Sequence, residues 1–192
     1  EGLWKEIDSA LNAGVSVYLI GGAALMYDKL KIATKDIDII VDENYELLRT
    51  AIASINFTEK DSDYERLKIT KILKRNDFQI DLFNKTVVDK LSLSKGMKER
   101  ATNIFNGKNL QVFLCSKEDI LLFKSVTLRT GDKEDCITLA KEEINWKVIL
   151  EEITNQIKLS GEQVWITYLG ERLEELTKEG ITIPIIKEVH KE

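Results

Sequence analysis

One proline, one histidine and two cysteines in 192 residues leave little room for several kinds of chemistry. The lone histidine, His190, lies near the C-terminus at what reads as a solvated or frayed helix end. Histidine-dependent triads and histidine-ligated zinc sites are therefore poor fits. Cys115 and Cys136 have neither CxxC spacing nor the density of a secreted disulfide scaffold, so free buried thiols are expected. No apolar run approaches the roughly 18 residues of a membrane-spanning helix. A signal-peptide pattern is also absent, and the chain opens on Glu1 rather than Met, which leaves room for an upstream segment; a cytoplasmic protein without membrane association is expected. A formal net charge of −5 supplies no global basic field, so any contact with nucleic acid has to come from a local patch.

What is present suits a helix-rich globular chain: 43% hydrophobic and 32% charged residues, without a low-complexity linker or internal repeat. Leu3, Trp4, Ile7, Ala10 and Leu11 recur at helical spacing before a glycine stop at Gly14. Val15–Ile20 reads as a buried strand, Ala23–Leu30 as a helix, and Asp36–Val41 as a second strand. Asp42 suits the N-cap of a helix over 43–54, and Phe57–Glu59 a brief strand. Leu67–Leu73 and Phe78–Phe83 flank an Asn-Asp turn signal, and Ala101–Phe105 and Leu110–Leu114 flank Asn106-Gly-Lys-Asn109, so two hairpins are expected. From Ser116, where Ser116-Lys-Glu-Asp119 resembles a capping box, the period is helical. Helices are expected over 117–129, 132–143, 146–158 and 163–179, with a last one after Pro184. The apolar faces read as Trp146, Ile149, Leu150, Ile153 and Ile157, and as Val164, Tyr168, Leu169, Leu173 and Leu176. The expected organisation is an α/β unit over 1–115 and a helical unit over 116–192.

Two stretches carry chemistry. Tyr18-Leu-Ile-Gly21-Gly22-Ala-Ala is a strand running through two glycines into a helix. Thr34-Lys-Asp36-Ile-Asp38-Ile-Ile-Val41 is a strand alternating acid and aliphatic residues, so Asp36 and Asp38 share a face. Aspartate is depleted in strands, and two on one face suit a divalent cation; Asp81, in the alternating run Phe78–Phe83, could complete the set. Magnesium takes carboxylate and phosphate oxygens, an arrangement suited to in-line displacement at phosphorus. Glycines without Cβ atoms let the backbone approach phosphate, and the following helix aims N–H groups at it. Taken singly, each feature has a plainer explanation: a tight turn, a solvated outer face, or the polar side of an amphipathic strand. Lys124 sits in a helical stripe with Ile120, Leu121 and Leu128, either snorkelling or directed into a cleft to meet phosphate. Asp132 is either an N-cap with Asp135 at N3, or one of the pair orients Lys124 or Arg129.

The order of these parts resembles a known family. Gly21-Gly22, thirteen residues, then Asp36-Ile-Asp38-Ile is similar to the signature of the nucleotidyltransferase superfamily, whose fold is polymerase-beta-like. Within it, Gly-Gly-Ala-Ala-Leu and Thr-Lys-Asp-Ile-Asp look most like the branch that holds AbiEii toxins and related prokaryotic proteins. Ser116–Lys124 followed by Arg129-Thr-Gly-Asp132-Lys-Glu-Asp135 resembles that branch's later motif. The likeness covers roughly residues 15–140, and the last fifty residues match nothing in it. One departure is Ile32, where relatives often carry a basic residue; Lys31 or Lys35 could take its place.

The resemblance implies a small mixed sheet flanked by helices, followed by a helical unit. It implies Asp36, Asp38 and Asp81 as ligands of Mg²⁺ or Mn²⁺, and Gly21, Gly22, Thr34, Lys35, Lys124, Arg129 and Asp132 as nucleotide contacts. Asp36, Asp38, Asp81 and Lys124 form the catalytic set. The activity implied is transfer of a nucleoside monophosphate from an NTP to a hydroxyl of RNA, protein or a small molecule. The alternative is a binding or regulatory module of a toxin–antitoxin or defence pair, with a partner protein. Lys71–Arg75 and Lys95–Arg100 read as solvated faces, and as first places for phosphate contact if the acceptor is RNA.

Overall fold

The structure, a computed structural model, describes residues 2–60, 71–87, 90–127 and 129–191. It divides into two compact units, Glu1–Cys115 and Ser116–Glu192.

The first unit is a mixed α/β layer. Its elements in chain order are α1 (Gly2–Ala10), β1 (Val15–Ile20), α2 (Gly21–Tyr27), β2 (Asp36–Val41), α3 (Tyr45–Ser54), β3 (Thr58–Lys60), β4 (Lys71–Arg75), β5 (Phe78–Asn84), β6 (Thr86–Val87), β7 (Leu91–Ser92), α4 (Lys95–Arg100), β8 (Thr102–Asn106) and β9 (Leu110–Leu114). Among the described residues, seven strands form one sheet in the order β3-β4-β5-β2-β1-β9-β8, and β6 and β7 pair separately. The pairs β1–β9 and β2–β5 are parallel, and the rest of the sheet is antiparallel. Central strands bury nearly every residue: Val17, Leu19 and Ile20 on β1, Ile39, Ile40 and Val41 on β2, and Ile80, Leu82 and Phe83 on β5. The exception is the start of β2, where Asp36, Ile37 and Asp38 are only partly covered. The sheet thus has a sealed body and one open strand end, and the open end carries the acids.

The expected second strand has the observed bounds, as does the first, while the helix expected over 23–30 begins earlier and ends at Tyr27. Both hairpins form, β4–β5 and β8–β9. Of the strand expected over 67–73, residues 67–70 lie outside the described residues. Asp42 is not an N-cap. Asn44, in the left-handed region at φ 60°, occupies that position and donates its amide to the Gly14 carbonyl at 3.0 Å, while Asp42 pairs with Lys98. Lys71–Arg75 is a strand rather than a solvated face. Ile72 and Leu73 are buried, Lys71 pairs with Glu59, and Arg75 pairs with Glu6 and lies 4.6 Å over the Phe57 ring.

The second unit consists of α5 (Lys117–Ser125), α6 (Thr130–Ala140), α7 (Trp146–Ser160), α8 (Val164–Lys178) and α9 (Ile186–Val189). Ser116 caps α5, accepting from the Asp119 amide at 3.2 Å and donating to its carboxylate at 2.9 Å. Ile120, Leu121, Leu122 and Phe123 are all buried, because α5 packs against α6, α7 and α8. A helix covered on all sides needs no amphipathic stripe. Helix α5 ends at Ser125, not 129, and α6 starts at Thr130 with Arg129 as N-cap, so Asp132 lies inside the first turn and is not the cap. On α7 the buried face is Ile149, Glu152, Ile153 and Gln156; on α8 it includes Trp165 and Arg172, while Val164 is exposed. Cys115 and Cys136 are free and buried. Among the described residues, no helix is long and apolar enough to cross a membrane.

Candidate active site

Strand register brings the acids together. Parallel pairing of β2 with β5 sets Asp38 opposite Asp81 and Asp36 opposite Gln79. Directly opposed residues of neighbouring strands lie about 5 Å apart with side chains on one face, so Asp36, Asp38, Gln79 and Asp81 form a two-by-two patch at the open end of the sheet. Lys74, opposite Gln79 on β4, extends the same row.

The glycines make this patch possible from the other side. Gly21 follows Ile20, which pairs with Asp38 across β1–β2, and has φ +66°. A Cβ there would lie 2.0 Å from Asp38 Oδ2, so the Asp38 carboxylate occupies the space that a side chain would fill. A Cβ at Gly22 would lie 2.5 Å from Thr34 Oγ1 and 3.8 Å from Lys31 Nζ. Thr34 in turn donates to the Asp36 carbonyl at 3.3 Å. Gly21 and Gly22 therefore let Asp38, Thr34 and Lys31 close on the main chain at the β1–α2 turn. Of the two lysines flanking this loop, Lys31 comes near the glycine turn, and Ile32 is fully exposed.

Asp81 is 3% exposed and accepts from Gln79 Nε2 at 2.8 Å. Burial, then the negative charge of Asp38 and of Asp36, push its pKa up to about 7 against the opposing pull of Gln79 and Lys74. Gln79 and Lys74 thus only partly offset what burial and the two neighbouring carboxylates do to Asp81. Among the described residues no group of three or more histidine, cysteine, aspartate or glutamate side chains is arranged to hold a metal ion. Magnesium does not need such a group: it is usually held by one or two carboxylates plus substrate phosphate and water. Asp36 and Asp38, two carboxylates on one face of β2, suit that mode of binding.

Lys35 and Asp36 line two adjoining hollows with Thr34, Asp77, Phe78 and Gln79, about 320 and 590 Å³ in volume. Gln79 escaped the sequence reading, and Lys74 entered it only within the Lys71–Arg75 run, because nothing in local spacing tells which strand will lie beside β2. The only local hint was Gln79 two residues before Asp81, and hence on its face.

Lys124, Arg129 and Asp132 form a cluster within the second unit. Lys124 Nζ bonds Asp132 Oδ1 at 2.8 Å and Asp135 Oδ2 at 2.7 Å; Thr127 Oγ1 and Arg129 Nε both donate to Asp132 Oδ2, at 2.5 and 2.8 Å. Burial opposes the charged form of Lys124, but the Asp132 and Asp135 carboxylates more than offset it and hold its pKa above the ordinary value. Lys124 is 7% exposed, whereas the Arg129 side chain is 67% exposed. Arg172 adds a bond to the Thr127 carbonyl at 2.8 Å. Of the two alternatives for this motif, the structure shows the one in which Asp132 orients both Lys124 and Arg129.

Comparison with known proteins gives the same family. Two structures of ANT(2″)-Ia share the fold at 14% identity: a crystal structure in complex with adenylyl-2″-tobramycin, TM-score 0.55, covering 83% of this chain and 98% of that one; and a solution structure of this antibiotic-resistance factor, TM-score 0.53, covering 83% and 92%. No curated protein matches the chain in sequence. A family model described as "Nucleotidyltransferase of unknown function (DUF6036)" matches residues 3–165, most of both units. With the glycine turn, the acid pair and the sheet in place, the chain belongs to this nucleotidyltransferase family.

Proposed function

We propose that the acidic end of β2 and β5 transfers a nucleoside monophosphate from an NTP to an acceptor hydroxyl. The observation that carries this reading is the register that sets Asp38 beside Asp81 while Asp38 rests against Gly21. Asp36 and Asp38, with Asp81, would hold Mg²⁺ or Mn²⁺. A divalent ion bound there supplies charge neutralisation on the phosphates and acidifies the attacking hydroxyl. The Gly21–Gly22 backbone, Thr34, Lys31 and Lys35 receive the phosphates of the NTP. The acceptor oxygen forms a bond to the α-phosphorus, the bond from that phosphorus to the bridging oxygen breaks, and pyrophosphate leaves with the electron pair. The hydroxyl proton passes to Asp81 when that carboxylate acts as general base in place of third ligand, and to water otherwise.

Of Lys124, Arg129 and Asp132, the family motif's nucleotide contacts, Arg129 alone would reach a nucleotide directly. Within their own unit Arg129 is the member with exposed surface, and Lys124 and Asp132 hold it in place. The acceptor class includes RNA, protein and small molecules; the ANT(2″)-Ia complex contains an adenylylated small molecule. Calorimetric titration with Mg²⁺ or Mn²⁺ and each NTP tests the reading. Saturable binding that disappears in the Asp36→Asn, Asp38→Asn double variant is expected. No binding by the parent chain, or equal binding by the variant, would overturn it. A purely regulatory module would bind an NTP without turnover in the presence of any acceptor pool.

A further inference from the structure

Two hollows open where β2 and β5 begin, and the transfer reaction itself uses only their shared edge at Thr34, Lys35 and Asp36. One is apolar, built from Ala23, Met26 and Ile37 with Phe78; the other adds Lys74 and Asn76. Phe78 is 53% exposed and Met26 39%, although both are large apolar side chains on ordered elements. Lys35 and Lys74 have no ion pair or hydrogen bond among the described residues. The volumes, about 320 and 590 Å³, are of the order of small-ligand sites.

We propose that these hollows hold the terminal nucleotide of a single-stranded nucleic-acid acceptor, its base on Phe78 and Met26 and its phosphate between Lys35 and Lys74. This rests on the nucleotidyl-transfer reading and names the acceptor for it. An exposed aromatic ring beside a flexible thioether is a platform for any planar base, and each stacked base contributes about 1–3 kcal/mol in alanine substitutions. Two unpaired lysines on the same rim supply the backbone contact that positions an end without reading its sequence. The Asp77 carboxylate, which lines both hollows, can accept from a ribose hydroxyl or an exocyclic amine. A nucleotide seated there lies against Asp36, the edge at which the acceptor hydroxyl is required. A polycationic acceptor would meet the same two lysines as repulsion. A protein side chain could use the apolar plate but would leave both cations without a partner. The chain's net charge of −5 makes this a local attraction, so binding will be short-footprint and salt-sensitive.

The test is fluorescence anisotropy of the full chain with 5′-labelled oligoadenylate and oligouridylate, without NTP, alongside calorimetry of each Mg-NTP. Phe78→Ala is expected to weaken oligonucleotide binding about tenfold, and Phe78→Tyr to restore it. Lys74→Ala is expected to weaken binding and reduce the salt slope by about 0.7, one phosphate on a single strand. NTP affinity stays unchanged in all three. Both sites are on the surface, so these variants fold. Unchanged oligonucleotide binding in Phe78→Ala overturns the proposal. So does equal weakening of NTP binding, because the hollow would then hold the NTP's own base. NTP binding by a chain that binds neither oligonucleotide also overturns it. Phe78-dependent oligonucleotide binding without any NTP binding would instead sink the transfer reading and leave the nucleotide site standing.

Discussion

Asp81 bears a sharp electrostatic conflict. Its carboxyl titrates near 7 when folded against an ordinary value of 3.8, so the fold favours the protonated form. Below pH 3.8 both folded and unfolded chains hold the proton, and the group contributes nothing to the pH dependence. Between there and about 7 the unfolded chain releases it first, and stability falls as pH rises; above 7 the penalty is constant. At ~1.4 kcal/mol per pH unit, the ceiling is ~4 kcal/mol. Asp81→Asn in chelator-treated protein is therefore expected to raise stability to urea at pH 8 and to leave it nearly unchanged at pH 3.5. An equal effect at both pH values would show that Asp81 is not strained. Gly21 answers a second residue-scale question. Gly21→Ala must accept a left-handed φ, at a cost of at least about 1 kcal/mol, and displace the Asp38 carboxylate, so nucleotide binding should fall together with melting temperature. Gly131→Ala, on α6 with open space around it, is the control and should be neutral or slightly stabilising.

At the scale of elements, Asp8 on α1 clasps the β8–β9 turn. Its carboxylate accepts from the amides of Asn109, Leu110 and Lys108 at 2.7, 2.7 and 3.2 Å, and Gly107 has no Cβ because one would sit 2.4 Å from Asp8 Oδ1. The Asn109 amide foremost, then the others, hold the Asp8 pKa below its usual value. The stabilisation is present at neutral pH and is lost as pH falls through that lowered pKa. Asp8→Ala should lower the melting temperature at pH 7, with the gap closing in acid; a gap independent of pH would contradict the clasp. The ion cluster joining α5 to α6 is the corresponding device in the helical unit. Removing its buried cation in Lys124→Met leaves Asp132 and Asp135 covered without the Lys124 charge, and a loss of about 3–5 kcal/mol in urea denaturation is expected. A loss under about 1 kcal/mol would show that the cluster is not closed.

Elements whose signals are local were legible before any coordinates. β1 and β2 are bounded by glycines and by the acid–aliphatic alternation, and the two hairpins by their turn residues. Boundaries decided by tertiary contact were not. Asn44 displaces Asp42 as cap because its amide reaches Gly14, and α5 stops at Ser125 where Thr127 and Arg129 turn toward Asp132. Likewise Asp36, Asp38 and Asp81 were visible as acids in strands, but Gln79, Lys74 and the role of Gly21 depend on strand register.

For the whole molecule, the family match spans residues 3–165, and the proposed chemistry lies at one strand end of the first unit. The central claim is that this strand end moves a nucleoside monophosphate. It is tested most directly by incubating the chain with α-labelled NTPs, Mg²⁺ and a cell extract, then separating RNA, protein and small-molecule fractions while measuring pyrophosphate. Expected is label in one fraction, appearing in step with pyrophosphate, and neither product with the Asp36→Asn, Asp38→Asn variant. Equal label from the variant, or no label in any fraction from the parent chain, would contradict it.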